Sequence, residues 1–205
     1  MVEKHLTEVA ECDLKESVLL KSQDRVLRIC EKMQALSWGS IKNKHKTRMI
    51  AGFQRGNPVR AVCRLCTLSR AVGCTASDRL RIDKIYKALL MAISKLAGHS
   101  SDFCEWFVQD GGAKKLLEEQ LGQLLSKETQ ESLISEETFS ITVRMILTVA
   151  SKESLKPTIK LQLDASLLMS LFNIWYAYAD YIDLYMFLFL PFDLSNDHCH
   201  SYQAM

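Results

Sequence analysis

Apolar residues recur at steps of three and four along most of the chain, and most densely from Ala88 to Leu125. There Leu89, Leu90, Ile93 and Leu96 form one stripe, which predicts a helix. Gly98 is expected to stop it, because glycine accepts the left-handed backbone of a helix end. Ser101 and Asp102 are suited to cap a short second helix carrying Phe103, Phe107 and Val108. Gly111-Gly112 makes a sharp turn. Leu116, Leu117, Leu121, Leu124 and Leu125 then supply the stripe of a third helix. Three helices joined by two short breaks are predicted.

The same spacing extends to both sides. From about Val2 to Leu20 the pattern predicts a charged amphipathic helix with Leu6, Val9, Leu14 and Val18 on its apolar side. Ser22 is read as the N-cap of a second helix, with Val26, Ile29, Cys30, Met33 and Leu36 in register and Gly39 at its end. The two form a hairpin, since neither buries its stripe alone. From Ser40 to Gly56 the chain is basic and weakly patterned, with Met49, Ile50 and Phe53 as one apolar patch on a short helix.

Asn57-Pro58 is a start signal, with asparagine as the cap and proline at the first helical position. The helix that follows places Val59, Val62, Leu65 or Cys66, and Ser69 on one face. Gly73 is expected to close it and Ser77-Asp78 to open the next. After Leu125 the acidic link SKETQESLISEET precedes a helix from about Glu136 to Ser151, with Phe139, Val143, Ile146, Leu147 and Ala150 inward. Pro157 is read as ending that region. A final helical run begins near Asp164.

The segments Ala88 to Gly98, Phe107-Val108-Gln109-Asp110-Gly111-Gly112-Ala113 and Leu116-Leu117 together resemble an armadillo-type repeat. The ending ILTVAS looks like a second instance of AISKLAG, roughly fifty residues on against the usual ~40–47, with the acidic link absorbing the excess. The resemblance implies an all-α, armadillo-like α-α superhelix, a right-handed stack of helical hairpins or triplets. It also implies a non-catalytic protein-interaction scaffold. The organisation expected is a helical hairpin over residues 1–39, repeats over 40–156, an apolar aromatic helix or alternative C-terminal segment over 157–192, and a disordered tail over 193–205.

Composition supports the class. With 48% hydrophobic and 24% charged residues, the chain is ordinary for a folded protein, and 3 prolines and 8 glycines leave little turn chemistry for many strands. The seven cysteines are odd in number and irregularly spaced, and the N-terminus lacks an apolar signal core. Both point to cytoplasm or nucleus.

The run LLMSLFNIWYAYADYIDLYMFLFLPF raises a membrane helix. Asp180 and Asp183 sit inside it, each costing about 2.5–3.5 kcal/mol at a bilayer centre. The apolar stretches on either side of the acids are too short to span. A terminal repeat needs a polar outer face, which Phe187, Phe189 and Phe192 do not supply. An alternative or truncated C-terminus on a longer protein is expected from the shift in composition after Leu171.

Candidate chemistry is sparse. Cys63, Cys66 and Cys74 lack the second ligand pair that structural zinc requires, and packing explains a pair three apart on a helix equally well. His198-Cys199-His200 lies near the chain end. No phosphate-binding, nucleophile-elbow or metalloprotease motif occurs, and adjacent carboxylates such as Glu118-Glu119 diverge on a helix. No enzyme, cofactor or metal is expected.

Charge distribution changes the picture more than its net value of +2. Between Ile41 and Lys87 only Asp78 and Asp83 oppose a dense basic block, and no lysine or arginine follows Lys160. Arg55, Arg60, Arg64, Arg70, Arg79 and Lys87 are the candidate partner-binding residues. They would take an acidic, extended or helical segment of another protein through charge-assisted bonds. Nucleic acid is the alternative partner, although only Phe53 and Tyr86 are at hand to stack on bases. A membrane-associated adaptor acting through the aromatic run is a further alternative.

Overall fold

The longest helix, Ala76–His99, buries Ile82, Ile85, Tyr86, Leu89, Leu90, Ala92, Ile93, Leu96 and Ala97. So wide an apolar surface cannot be satisfied by one neighbour. In the computed structural model, which describes residues 2–13, 16–125, 135–163, 166–167 and 170, other helices lie on several of its sides. The described elements are α1 (Val2–Glu11), α2 (Ser17–Ala35), a 3-10 turn (Trp38–Ser40), α3 (Asn43–Gly56), α4 (Pro58–Ser69), α5 (Ala76–His99), α6 (Ser101–Gln109), α7 (Gly112–Leu125), α8 (Glu136–Ala150) and α9 (Lys156–Gln162). The architecture is all-α, with no strand among the described residues.

Packing between helices has a period of three. α1 meets α4 and α4 meets α7; α2 meets α5 and α5 meets α8; α3 meets α6. Neighbours in sequence also touch, as α1 on α2, α4 on α5 and α6 on α7 do. One apolar core runs from Leu6 to Leu167, with Phe53, Phe103, Phe107 and Phe139 among its largest buried side chains. Each helix buries its apolar face against others, which none achieves alone.

Two turns occupy matching places in this pattern. Asn57 ends α3 in the left-handed conformation at φ 47° and caps α4, its side chain accepting from the Arg60 amide at 2.9 Å. Gly111, at φ 69°, joins α6 to α7. Asn57 Nδ2 donates to Asp110 Oδ1 at 3.3 Å, so the two turns are bonded to each other.

Several helix boundaries differ from the sequence reading. The predicted helix from Val2 to Leu20 breaks after Glu11, and Ser22 lies buried inside α2 instead of capping it. There the Ser22 hydroxyl donates to Glu8 of α1, a tertiary demand that outweighs its capping preference. α2 ends at Ala35, ahead of Gly39.

Thr75, not Ser77-Asp78, caps α5. It accepts from the Asp78 amide at 3.1 Å while Asp78 Oδ2 accepts from the Thr75 amide at 3.0 Å. That reciprocal box satisfies two amides at once, and Thr75 holds the Asp78 carboxyl below its ordinary range. Helix α5 runs through Gly98, and Ser100 caps α6 in place of Ser101 or Asp102. Pro157 lies in the first turn of α9 rather than ending a helical region, because its missing N–H costs nothing there.

The acidic link after Ser126 to Ile134, the aromatic run from residue 171 onward and the His198-Cys199-His200 cluster lie outside the described residues. Among the described residues, no helix is long and apolar enough to cross a membrane.

Candidate functional site

Helix α4 carries the densest set of candidate residues. Its inward face, Val59, Val62, Leu65, Cys66 and Ser69, is buried as the spacing predicted. Its flanks face α1 on one side and α7 on the other. An open groove of about 490 Å³ runs between α1 and α4, lined by Ala10, Glu11, Arg60, Cys63, Arg64 and Thr67. A second, of about 420 Å³, lies between α4 and α7, lined by Asn57, Arg60, Cys63, Lys115, Glu118 and Glu119. Arg60 and Cys63 stand on the ridge between them.

The candidate cations are engaged with acids brought in by the fold. Arg55 Nε donates to Glu3 Oε2 at 2.7 Å, and Arg60 Nη1 lies 3.6 Å from Glu11 Oε1. Arg64 Nη2 donates to Asp13 Oδ1 at 3.1 Å and to the Cys12 carbonyl at 3.5 Å. Arg70 Nη2 reaches Glu119 Oε1 at 2.8 Å. Thus Arg55, Arg60 and Arg64 face acids at or just beyond α1, while Arg70 faces α7. Arg79 and Lys87 sit on α5 instead, with Lys87 3.5 Å from Asp83. The six therefore occupy α3, α4, the end of α4 and α5, with no single row joining them.

The Arg55 and Arg60 pairs are solvent-exposed. The Arg55 and Arg60 side chains each retain 63% exposure, and ion pairs of that kind contribute about 0.2–1 kcal/mol. A carboxylate from outside can exchange with Glu3 or Glu11 at little cost.

The thiols are packing groups. Burial pushes Cys63 and Cys66 up to about 12, so both stay protonated at neutral pH. Gln120 Nε2 donates to Tyr86 Oη at 2.6 Å and to Thr142 Oγ1 at 2.9 Å. One buried polar network thereby joins α5, α7 and α8.

Between α1 and α2, His5 Nδ1 lies 3.2 Å from both Glu8 Oε2 and Ser22 Oγ, while Ser22 donates to Glu8. A nucleophile relay places the acid and the serine on opposite ring nitrogens. Here both share one nitrogen, and the geometry is that of a clasp between helices. Ser22 holds the Glu8 carboxyl below its ordinary range.

Two features had no signal in local sequence. Lys95 of α5 donates to carbonyls at the end of α2, some sixty residues earlier in the chain. Trp38 stacks on His99 with ring centroids 5.3 Å apart, and Lys46 Nζ lies 5.7 Å from the Trp38 centroid. The basic run, read in the sequence as weakly patterned, extends from the N-cap Lys42 through the first half of α3.

Compared with known proteins, the chain matches no family model, no curated protein and no solved structure.

Proposed function

We propose that the protein is a non-catalytic interaction scaffold of the armadillo-like type, holding an acidic segment of a protein partner in the grooves along α4. The observation that carries this reading is the period-three packing of helices, in which α1, α4 and α7 line up and leave two open grooves side by side. A repeat stack of this design presents side chains from successive helices to an extended or helical ligand. Arg60 and Arg64 project into these grooves, where a partner's carboxylates would displace Glu11 and Asp13.

Nucleic acid is the weaker reading. Phe53 and Tyr86, the aromatic residues nearest the candidate arginines in sequence, are fully buried and offer no face to a base.

The test is affinity purification from cell lysate with the intact chain and with a version carrying Arg60→Glu, Arg64→Glu and Arg70→Glu. Far-UV circular dichroism checks that both are folded. A discrete protein lost on charge reversal and crosslinked to residues of α4 supports the reading. Recovery unchanged by the reversal, or recovery abolished by nuclease, defeats it.

A further inference from the structure

A second basic surface lies apart from these grooves. Lys42, Lys44, His45, Lys46 and Arg48 follow one another at the start of α3, and all but Lys46 are exposed. Lys46 is half-buried against Trp38, whose ring also stacks on His99. The acids packed near α3 are engaged elsewhere or placed at its other end. Glu3 of α1 bonds Arg55, and Glu8 bonds Ser22. Asp102 and Glu105 belong to α6, which reaches α3 near Gln54, where Gln54 Nε2 donates to the Asp102 carbonyl at 3.1 Å. Among the described residues, no acid pairs with Lys42, Lys44, Lys46 or Arg48, in contrast to Arg55, Arg60, Arg64 and Arg70.

This arrangement is unfavourable for the chain alone. A helix N-terminus carries partial positive charge, and no acidic residue stands in the first turn of α3 to offset it. Like charges one turn apart, as Lys44 and Arg48 are, repel each other as well. An anionic partner would relieve both effects.

We propose that the exposed side of α3 from Lys42 to Arg48 is a docking surface for an acidic segment of a protein partner. Size and chemistry favour a peptide over nucleic acid. The exposed charge here is Lys42, Lys44 and Arg48 with His45 beside them, whereas a nucleic-acid interface typically neutralises about 6–10 phosphates. The adjacent aromatic ring, Trp38, is already engaged by His99 and Lys46, which leaves no stacking platform of the kind single strands use. A short run of glutamates or aspartates, spaced to meet Lys44 and Arg48, matches what α3 presents. This surface stands or falls independently of the α4 grooves.

The experiment measures binding of a fluorescein-labelled oligoglutamate to the full chain by anisotropy, with every version carrying Arg60→Gln/Arg64→Gln so that the α4 grooves do not contribute. It compares Lys44→Glu/Arg48→Glu with Arg25→Glu/Arg28→Glu, an equal change of charge on exposed positions of α2. The α3 reversal is expected to weaken binding by about tenfold or more, and the α2 reversal by about twofold at most. Backbone hydrogen exchange with the peptide present should slow within residues 42–50. If charge reversal disturbs α3, Lys44→Gln/Arg48→Gln should reproduce the loss. No binding, an equal loss in both reversals, or a single-stranded oligonucleotide of the same charge bound tenfold tighter than the peptide would overturn the proposal.

Discussion

Lys95 on α5 and Leu36, just past the end of α2, are joined by a 2.7 Å bond from the ammonium to the carbonyl oxygen. The same nitrogen donates to the Met33 carbonyl at 2.7 Å and the Gln34 carbonyl at 3.1 Å. A lysine has three donors, and here all three meet carbonyls that a helix end leaves without partners. The cation also faces the negative end of the helix dipole. Lys95→Met is therefore expected to lower stability by about 2 kcal/mol in urea unfolding. Lys95→Arg should recover only part of that, because a planar guanidinium directs its donors differently. A loss below about 0.5 kcal/mol for Lys95→Met would mean that water replaces the ammonium.

Two glycines should respond in opposite directions to alanine. A Cβ at Gly112 would fall 2.5 Å from Phe107 Cε2 and 2.9 Å from the Phe107 carbonyl oxygen. Gly112→Ala should cost about 1–3 kcal/mol through overpacking against a fully buried ring. Gly98 lies inside α5 with open space where its Cβ would go. Gly98→Ala should stabilise by about 0.5–1 kcal/mol from helix propensity. Thermal melts of the two variants check both signs, and a destabilised Gly98→Ala would refute the continuous helix.

The junction of Tyr86, Gln120 and Thr142 ties three helices together by buried hydrogen bonds. Replacing Gln120 with leucine leaves the Tyr86 and Thr142 hydroxyls short of a partner, at a cost of about 1–3 kcal/mol. A double-mutant cycle combining Gln120→Leu with Tyr86→Phe should be clearly non-additive, since one change removes the partner of the other. Additive effects would show that the pair is not coupled.

Alkaline pH should unfold the chain through its buried thiols. Burial raises Cys30, Cys63 and Cys66 from 9.0 to about 12, so the native state keeps these protons where the unfolded chain releases them. The unfolded state then binds fewer protons, and stability falls as pH rises from about 9 towards 12. Tyr86, raised well above 10.0 chiefly by burial, adds to the fall once the unfolded tyrosine ionises. Urea midpoints measured across that range should decline, and less steeply in a Cys63→Ala/Cys66→Ala variant compared with its own neutral-pH midpoint. A flat profile would contradict the burial.

The exposed ion pairs should matter little to stability. A double-mutant cycle on Arg55 and Glu3 is expected to return about 0.2–1 kcal/mol, falling further in high salt. A coupling well above that range would tie these arginines to the fold and count against their availability to a partner.

Periodicity alone determined the helical class and much of the core, because a residue's place on a helix face follows from its spacing. Leu89, Leu90, Ile93 and Leu96 are buried as that spacing requires, and so are Val59, Val62 and Leu65. Asn57-Pro58 was legible for a similar local reason, since cap geometry involves residues a few positions apart.

Tertiary structure alone decided what each charge meets. Arg55 and Glu3 lie 52 positions apart, and no local pattern reports that distance closing. A basic block read along the chain therefore resolves into arginines already paired across helices and a run on α3 with no acid paired to it among the described residues. Ser22 was misread for the same reason: its preference for a helix start yields to the buried hydrogen bond that Glu8 offers from a neighbouring helix. Helix type is a local property of the chain; the partners of its polar groups are set by which helices pack together.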